Sequence, residues 1–417
     1  MTTVDSLQTQ IKSVITLYSN GQTQEALDSV ETLTKSYPNE PMLYNISGVC
    51  YKAIGQLDDA VKSFERALAI KPDYIEVNYN LGVTLKELGQ LDAAVKSYEK
   101  AITLKPDYVD AHYNLGITLK ELGQREDAAK SYEKVLTFKP DHVNAHNNLG
   151  ITLKDLNQLD AAVKSYEKAI AIKPDFAEAH NNLGNVLKVL DRLDEAVKCY
   201  EQTLDIKPNF AEAHNNLGNI FKDLGRLDEA VKCYEQTLDI KPNFAEAHNN
   251  LGITLVELGQ LDAAVKCYEK TLALQPDNAE THNNLGNAFK ELGQVEDAVM
   301  SYKKALAIKP DYAEAHNNLG TAFRKLGQLV AATACYDKAL AINPDYAYAH
   351  NNLGVAFKEL GQLVAATACY DKALAIKPDY ADAYANLGSV MDRLKRLDEA
   401  LASYEHAYYL KPEIDFL

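Results

Sequence analysis

The chain has too few basic residues to hold a polyanion. Its 43 lysine and arginine residues are outnumbered by 59 aspartate and glutamate residues, and its formal net charge at pH 7 is −16. Nucleic-acid binding needs a concentrated excess of lysine and arginine that neutralises phosphates. The composition therefore predicts no nucleic-acid partner, and we attribute the evenly spread acidity to solubility.

Long apolar runs are also missing. Nowhere do eighteen apolar residues follow one another, and Met1–Gln10 has neither the basic start nor the apolar stretch of a secretory signal. These absences predict a protein that does not insert into membranes and that is located in the cytoplasm.

Cysteines are few, and their positions argue against disulfides. Five of the six occupy one position of a repeated pattern, where other copies of the pattern have serine. Helices stacked at ~8–10 Å lie too far apart for a disulfide between equivalent positions. We expect small helix-packing residues in a reducing compartment. The five are Cys199, Cys233, Cys267, Cys335 and Cys369.

The motifs of common enzymes are absent as well. The sequence contains no glycine-rich phosphate loop, no His-Glu-x-x-His helix, no paired-cysteine metal knuckle and no Gly-x-Ser-x-Gly elbow. Carboxylates are plentiful, but they recur with the repeat, whereas a catalytic constellation should be unique. We therefore predict no catalytic residue, no metal and no cofactor in this chain.

What the sequence does contain is a strict repeat. Rows of 34 residues align without a gap from Leu7 to Ile414, which gives twelve rows, and this period is typical of a helix-turn-helix solenoid. We predict a tail at 1–6, a divergent capping repeat at 7–40 and a tail or domain junction at 415–417. Eleven repeats are predicted between them, at 41–74, 75–108, 109–142, 143–176, 177–210, 211–244, 245–278, 279–312, 313–346, 347–380 and 381–414.

Each row predicts two short amphipathic helices. In the row 245–278, apolar residues recur at helical spacing, stop at Gly259 and then resume. Glycine at this corner suits the positive φ that ends the first helix, whereas Lys395 in the last row departs from the pattern. The second helix ends at Lys-Pro-Asp or a close variant, because proline cannot continue a helix.

These features resemble the tetratricopeptide repeat (TPR) signature: Leu-Gly near the start, Gly at the corner, then Ala, Tyr, Ala and Pro. The resemblance covers nearly the whole chain, although histidine replaces the usual tryptophan near the start in eight rows. It implies an all-α fold, a right-handed superhelix of about twelve helical hairpins. It also implies that the first helices line a concave groove and the second helices lie outside.

The predicted groove face carries asparagine at its most regular position. Positions two, five, six, nine, twelve and thirteen of each row share one face of the first helix. Position six is asparagine in ten consecutive rows, and in seven of them a second asparagine precedes it. The sixth-position residues are Asn80, Asn114, Asn148, Asn182, Asn216, Asn250, Asn284, Asn318, Asn352 and Asn386. The fifth-position residues are Asn147, Asn181, Asn215, Asn249, Asn283, Asn317 and Asn351.

An amide side chain both donates and accepts hydrogen bonds, so it matches a peptide unit. The asparagines are therefore candidates for holding an extended polypeptide by its backbone. The alternative is that asparagine is simply a solvated helix residue at this position, and the mixed charges nearby are interpreted as a solvated surface.

Eight aligned histidines suggest a metal site at first sight. Neighbours one repeat apart cannot share a zinc ion whose ligands lie ~2 Å from it. We expect these residues to fill a half-buried aromatic position, and protonation near pH 6 to loosen the stack. They are His112, His146, His180, His214, His248, His282, His316 and His350.

The leading functional prediction is a non-catalytic scaffold that binds a protein or an extended peptide. A carboxylate clamp for acidic tails is disfavoured, because the groove positions have Glu, Asn and Tyr where a clamp needs Lys and Arg. The array also resembles the N-terminal arm of the O-linked N-acetylglucosamine transferase (SPINDLY-like) family. That resemblance implies a substrate-recognition arm whose catalytic domain follows this chain.

The two ends of the array differ in polarity. The first row begins with a polar helix, as a cap should, whereas the last row ends with Tyr408, Tyr409, Leu410, Phe416 and Leu417. We expect an abutting domain or partner at that end. Homo-oligomerisation through it, or through a face of the solenoid, is a third alternative.

Overall fold

The computed structural model describes the backbone of residues 3–412 and the side chains of residues 7–412. Within that range the chain forms 24 α-helices and no strand, arranged as tandem helical hairpins in a solenoid. The predicted all-α TPR solenoid is confirmed. No helix in the described range is long and apolar enough to span a membrane.

The backbone packs as two compact units, Met1–Pro208 and Asn209–Leu417. The helices of the first unit are α1 Thr3–Ser19, α2 Thr23–Ser36, α3 Pro41–Ala53, α4 Leu57–Ile70, α5 Ile75–Glu87, α6 Leu91–Leu104, α7 Val109–Glu121, α8 Arg125–Phe138, α9 Val143–Asp155, α10 Leu159–Ile172, α11 Ala177–Val189 and α12 Leu193–Ile206.

The second unit has the same pattern. Its helices are α13 Ala211–Asp223, α14 Leu227–Ile240, α15 Ala245–Glu257, α16 Leu261–Leu274, α17 Ala279–Glu291, α18 Val295–Ile308, α19 Ala313–Lys325, α20 Leu329–Ile342, α21 Ala347–Glu359, α22 Leu363–Ile376, α23 Ala381–Arg393 and α24 Leu397–Leu410.

The N-terminal helix is longer than the repeat pattern indicated. It begins at Thr3, so most of the segment predicted as a tail at 1–6 is helical. The predicted junction at 415–417, with Phe416 and Leu417, lies outside the described residues, as do residues 1 and 2.

The corner between the two helices of a hairpin has the backbone conformation that the sequence indicated. Gly259 has a φ of 73°, and Asn157, Asp191 and Lys395 adopt φ values of 58°, 58° and 63° at the same place. This left-handed conformation costs a lysine more than a glycine or an asparagine. Lys395 is therefore a local source of strain.

A glycine on the first helix lets the two helices of each hairpin approach closely. A Cβ added to Gly286 would lie 2.6 Å from Cε1 of Tyr302, whose side chain is fully buried. The same pairing of glycine and tyrosine recurs through both units, for example between Gly82 and Tyr98. Tight packing of this kind fixes the angle of each hairpin and therefore which side chains reach the first-helix face.

Candidate functional site

The sixth-position asparagines are half-buried on the first helices, from Asn80 in α5 to Asn386 in α23. Their side chains are therefore neither fully solvated nor part of the core. We call the surface that they share within each unit the first-helix face.

Most of these asparagines bridge to the preceding hairpin. The Nδ2 group donates to a side chain 35 residues earlier, at the fifth position of the previous row. When that residue is asparagine, the acceptor is its Oδ1. These bonds are Asn80 to Asn45 (3.2 Å), Asn182 to Asn147 (3.1 Å), Asn318 to Asn283 (3.0 Å), Asn352 to Asn317 (2.9 Å) and Asn386 to Asn351 (3.2 Å).

Tyrosine takes the acceptor role in two rows. Asn114 donates to the hydroxyl of Tyr79 at 3.0 Å, and Asn148 donates to the hydroxyl of Tyr113 at 3.1 Å. In a further variant, Asn250 donates to Oδ1 of Asn219 at 2.9 Å. The asparagine repeat thus forms a set of hydrogen bonds between hairpins. The sequence did not indicate this, because the partners are 31 or 35 residues apart.

The fifth-position asparagines are mostly buried. Asn147, Asn181, Asn215, Asn283, Asn317 and Asn351 are each at most 7 % exposed, while Asn249 is half-buried. Besides accepting from the next row, some donate to glutamate: Asn215 Nδ2 lies 3.0 Å from Glu246 and Asn283 Nδ2 lies 3.3 Å from Glu314. The structure therefore places these side chains as supports beneath the first-helix face.

The bridges leave hydrogen-bonding capacity on the sixth-position amides. An amide has two N–H donors and an oxygen with two lone pairs. In Asn182 and Asn352, one N–H is used by the bridge, and no side-chain partner for Oδ1 is found in the described part of the chain. Each therefore presents one donor and one acceptor, which is the pattern of a peptide unit.

Opposite charges on the first-helix face also connect successive hairpins. Lys52 pairs with Glu87 at 2.9 Å, Lys86 with Glu121 at 3.1 Å, and Arg324 with Glu359 at 2.7 Å. The mixed charges elsewhere on this face, such as Glu178 and Lys188, were expected to form a solvated surface. Exposed pairs of this kind contribute little stability, but they leave no surface of a single sign that would attract a polyion.

Two lysines on this face are partly desolvated. Burial lowers the pKa of Lys290 and of Lys358, and neighbouring glutamates offset part of that effect. Lys358 Nζ donates to Oδ1 of Asn386 at 3.1 Å. The amide of Asn386 is thus held at both ends, unlike that of Asn352.

A tyrosine cluster on the second unit is a feature that sequence reasoning missed. Tyr348 is 48 % exposed, and its ring centroid lies 6.2 Å from that of Tyr346 and 5.2 Å from that of Tyr380. Lys377 Nζ donates to its hydroxyl at 3.0 Å. The available signal was that Tyr348 stands at the second position of its row, where six earlier rows have glutamate.

The aligned histidines tie the loop between repeats to the next first helix. In seven of the eight, Nε2 lies 2.9–3.1 Å from the carbonyl oxygen of the proline six residues earlier, as in His112 and Pro106. Other rows keep this bond with a different donor, namely Tyr44 to Pro38 at 3.2 Å and Asn78 to Pro72 at 3.5 Å. Histidine is thus the usual donor at this position, and a tyrosine or an asparagine takes its place in two rows.

Neither cysteine nor histidine forms a metal site in the described range. No three His, Cys, Asp or Glu side chains come together there in a way that could hold a metal ion. All six cysteines are unpaired, and burial raises the pKa of Cys199, Cys233, Cys267 and Cys369 to about 11. These thiols stay protonated at neutral pH.

Several solved structures align with this chain. The APC/C hetero-tetramer Cut9-Hcn1 aligns with a TM-score of 0.50 and 14 % identity, over 97 % of this chain and 93 % of that one. YrrB, described as a TPR protein with an unusual peptide-binding site, aligns with a TM-score of 0.41 and 24 % identity over 45 % of this chain and 96 % of its own. MamA aligns with a TM-score of 0.36 and 30 % identity over 39 % and 95 %. No curated protein matches the chain.

Family models account for nearly the whole sequence. A model described as a TPR repeat matches residues 48–89, 84–123, 152–191, 189–225, 218–259, 254–293, 286–327, 320–361 and 356–395. Two models described as tetratricopeptide repeats match residues 109–142 and 381–414. Because these matches together span 48–142 and 152–414, the chain belongs to the tetratricopeptide repeat family.

Proposed function

We propose that the first-helix face holds an extended segment of another polypeptide by its backbone, and that the chain acts as a non-catalytic scaffold. The observation that carries the proposal is the state of Asn182 and Asn352. The bridge fixes the position of each amide and uses only one N–H. The other N–H and Oδ1 remain as one donor and one acceptor, which match the C=O and the N–H of a peptide unit. An amide held in place loses little further rotamer freedom when a ligand binds.

The spacing of the amides suits an extended ligand. Successive hairpins are ~10 Å apart and an extended peptide rises ~3.3 Å per residue, so each row meets about every third peptide unit. Hydrogen bonds to the ligand's backbone do not discriminate between its side chains. We therefore expect broad sequence tolerance with a requirement for free backbone amides.

Two matched sets of substitutions separate binding from stability. The test set is Asn318 and Asn352 to Ala, two neighbouring positions of the second unit. The control set is Asn283 and Asn317 to Ala, which breaks the same two bridges but keeps the sixth-position amides. Any loss of binding that comes from weakened bridges appears in both sets.

The ligand for this test is a peptide of about sixteen residues selected from a random library on the wild-type chain, with affinity measured by fluorescence anisotropy. We expect the test set to weaken binding at least about tenfold, and the control set to weaken it much less. N-methylation of alternate peptide amides should abolish binding, whereas side-chain exchange should not. Equal losses in the two sets, or tolerance of N-methylation, would refute the proposal.

A second candidate uses the same face. If the array is the substrate arm of an O-linked N-acetylglucosamine transferase-like enzyme, the captured segment is an acceptor for glycosylation and the catalytic domain lies beyond Leu417. The coding sequence after Leu417 decides between the two. A glycosyltransferase domain there favours the substrate arm, and a stop codon favours the independent scaffold.

A further inference from the structure

The second helices of the second unit carry an apolar surface that other repeats do not have. At position eighteen, nine of the eleven rows from 41–74 to 381–414 have Asp or Glu, but two consecutive rows have Val330 and Val364. These valines are 76 % and 77 % exposed. They stand in the first turn of α20 and α22, where an acidic residue would favour the helix dipole. Helix stability and solubility both disfavour valine there, so another cause is needed.

Position twenty-two changes along the same surface. Seven consecutive rows, from Lys62 to Lys266, have lysine at this position, whereas the next three have Met300, Ala334 and Ala368. Met300 is 57 % exposed, and both alanines are exposed. We call the exposed side of α18, α20 and α22 the second-helix patch. It lies on different helices from the asparagines, so it is independent of the proposed peptide-binding function.

Two clefts between neighbouring second helices lie within this patch. The cleft between α18 and α20 is lined by Leu306, Ala307, Ala341 and Ile342. The equivalent cleft between α20 and α22 is lined by Leu340, Ala341, Ala375 and Ile376. Small residues along both clefts allow the backbone of another helix to approach closely.

The charges on the patch are balanced in sign and unpaired. Each of α20 and α22 has an exposed Asp-Lys pair in its middle, Asp337-Lys338 and Asp371-Lys372. In the described part of the chain none of these four side chains has a counter-ion within hydrogen-bonding distance, whereas Lys62 pairs with Asp59 at 2.8 Å on an earlier second helix. A surface with both signs side by side complements a copy of itself turned through 180°.

We propose that the second-helix patch is a two-fold interface between two copies of this chain. A two-fold axis that crosses the helices places α20 of one copy antiparallel to α20 of the other, and α22 antiparallel to α22. With the Asp-Lys pairs centred on that axis, Asp337 lies opposite the partner's Lys338, Asp371 opposite the partner's Lys372, and Ala334 opposite the partner's Ala341. The exposed valines lose their contact with water at the edge of the interface.

The patch has about the smallest area of a standard protein interface. Three helices of 14 residues are each ~21 Å long, and side by side at ~10 Å they cover roughly 600 Å². Standard interfaces use about 600–1,000 Å² on each partner. We therefore expect a dimer at the weak end of that range, with a dissociation constant on the order of micromolar.

Analytical ultracentrifugation from 1 to 200 µM tests the proposal. The wild type should shift from monomer to dimer, and Val330→Asp with Val364→Asp should raise the dissociation constant at least about tenfold. This variant restores the acidic residue that nine other rows have, so it should fold normally, and circular dichroism checks that. Val189→Asp is the matched control, because Val189 is 65 % exposed on α11 of the first unit.

A charge exchange identifies the partner as a second copy. Asp337→Lys with Asp371→Lys, and separately Lys338→Asp with Lys372→Asp, should each remain monomeric, while a mixture of the two variants should form a heterodimer. A monomeric wild type at 200 µM overturns the proposal. So does a dimer that survives the valine substitutions, or a mixture that fails to associate.

Discussion

The amide of Asn182 donates a hydrogen bond of 3.1 Å to Oδ1 of Asn147, which lies on the preceding first helix and is only 7 % exposed. If Asn182 is replaced by alanine, that buried oxygen is left without this donor. A buried acceptor without a partner costs about 1–3 kcal/mol, whereas removing both partners costs less.

We therefore expect a double-mutant cycle on Asn147→Ala and Asn182→Ala to give a coupling free energy of about 1 kcal/mol in urea unfolding. Amide hydrogen exchange should localise the loss to α9 and α11. The pair Asn147 and Asn352, which belong to different units, is the control and should show additive effects. A coupling near zero for Asn147 and Asn182 would mean that the bridge does not contribute to folding.

The close approach of Gly286 to Tyr302 predicts intolerance of any side chain at the glycine. A Cβ would lie 2.6 Å from Cε1 and 2.7 Å from Cδ1 of the ring, and the fully buried tyrosine has no room to move. Gly286→Ala should lower the free energy of unfolding by about 1–3 kcal/mol.

The double variant Gly286→Ala with Tyr302→Leu tests the stated cause of that loss. A shorter side chain at position 302 removes the ring atoms that the methyl group meets, so the double variant should be less destabilised than the sum of the two single variants. Purely additive losses in thermal unfolding would show that the contact with Tyr302 is not the reason.

Relief of backbone strain at Lys395 should stabilise the last hairpin. The left-handed conformation at φ 63° costs a lysine about 1–2 kcal/mol, and glycine avoids that cost but loses about 0.4–1 kcal/mol through greater freedom in the unfolded chain. Lys395→Gly should therefore raise the free energy of unfolding by about 0.5–1 kcal/mol.

Two further variants check this interpretation of Lys395. Lys395→Ala retains the unfavourable φ and should give no gain. Asn157→Gly should gain less than Lys395→Gly, because asparagine tolerates the left-handed region. A gain from Lys395→Ala as large as that from Lys395→Gly in urea unfolding would point to the lysine side chain and not to the backbone.

The sequence predicted those parts of the fold that depend on local chemistry. Gly259 at the corner, proline after the second helix and the helical spacing of apolar residues each act within a few residues of themselves. The sixth-position asparagines lie within the first helices for the same reason. Their bridges, such as that of Asn352 to Asn317, depend on the distance between stacked hairpins, which periodicity alone does not give.

The second-helix patch shows a second limit of prediction from sequence. Val330 and Val364 stand out once the rows are aligned, but an apolar residue in a helix is normally taken as part of the core. Only the packing shows that their side chains point away from the neighbouring helices and remain exposed. The role of the histidines likewise depends on where the proline carbonyl of the loop lies, as for His282 and Pro276.

His282 makes the stability of the second unit depend on pH. Its Nε2 lies 3.1 Å from the carbonyl oxygen of Pro276 and donates to it, while Nδ1 is buried with no partner in the described residues. Burial lowers the pKa of His282, the bond to Pro276 partly offsets this, and Lys304 lowers it further. Protonation would place a charged, unpaired N–H in the interior.

The sign of the effect follows from the lowered pKa. The unfolded chain binds a proton near the ordinary histidine value of about 6.5, whereas the folded chain binds it only at lower pH. The contribution of His282 to stability is therefore complete above that value, and it is lost as the pH falls through the lowered pKa. Urea midpoints of the wild type should accordingly decrease between pH 7.5 and pH 5.

His282→Asn removes the titration and keeps a donor for the proline carbonyl, as Asn78 does for Pro72. Its urea midpoint should decrease less between pH 7.5 and pH 5 than that of the wild type. The matched control is His146→Asn, because His146 is more exposed and its Nδ1 is not confined in the same way. If His282→Asn and the wild type lose stability equally on acidification, the buried imidazole is not the group responsible.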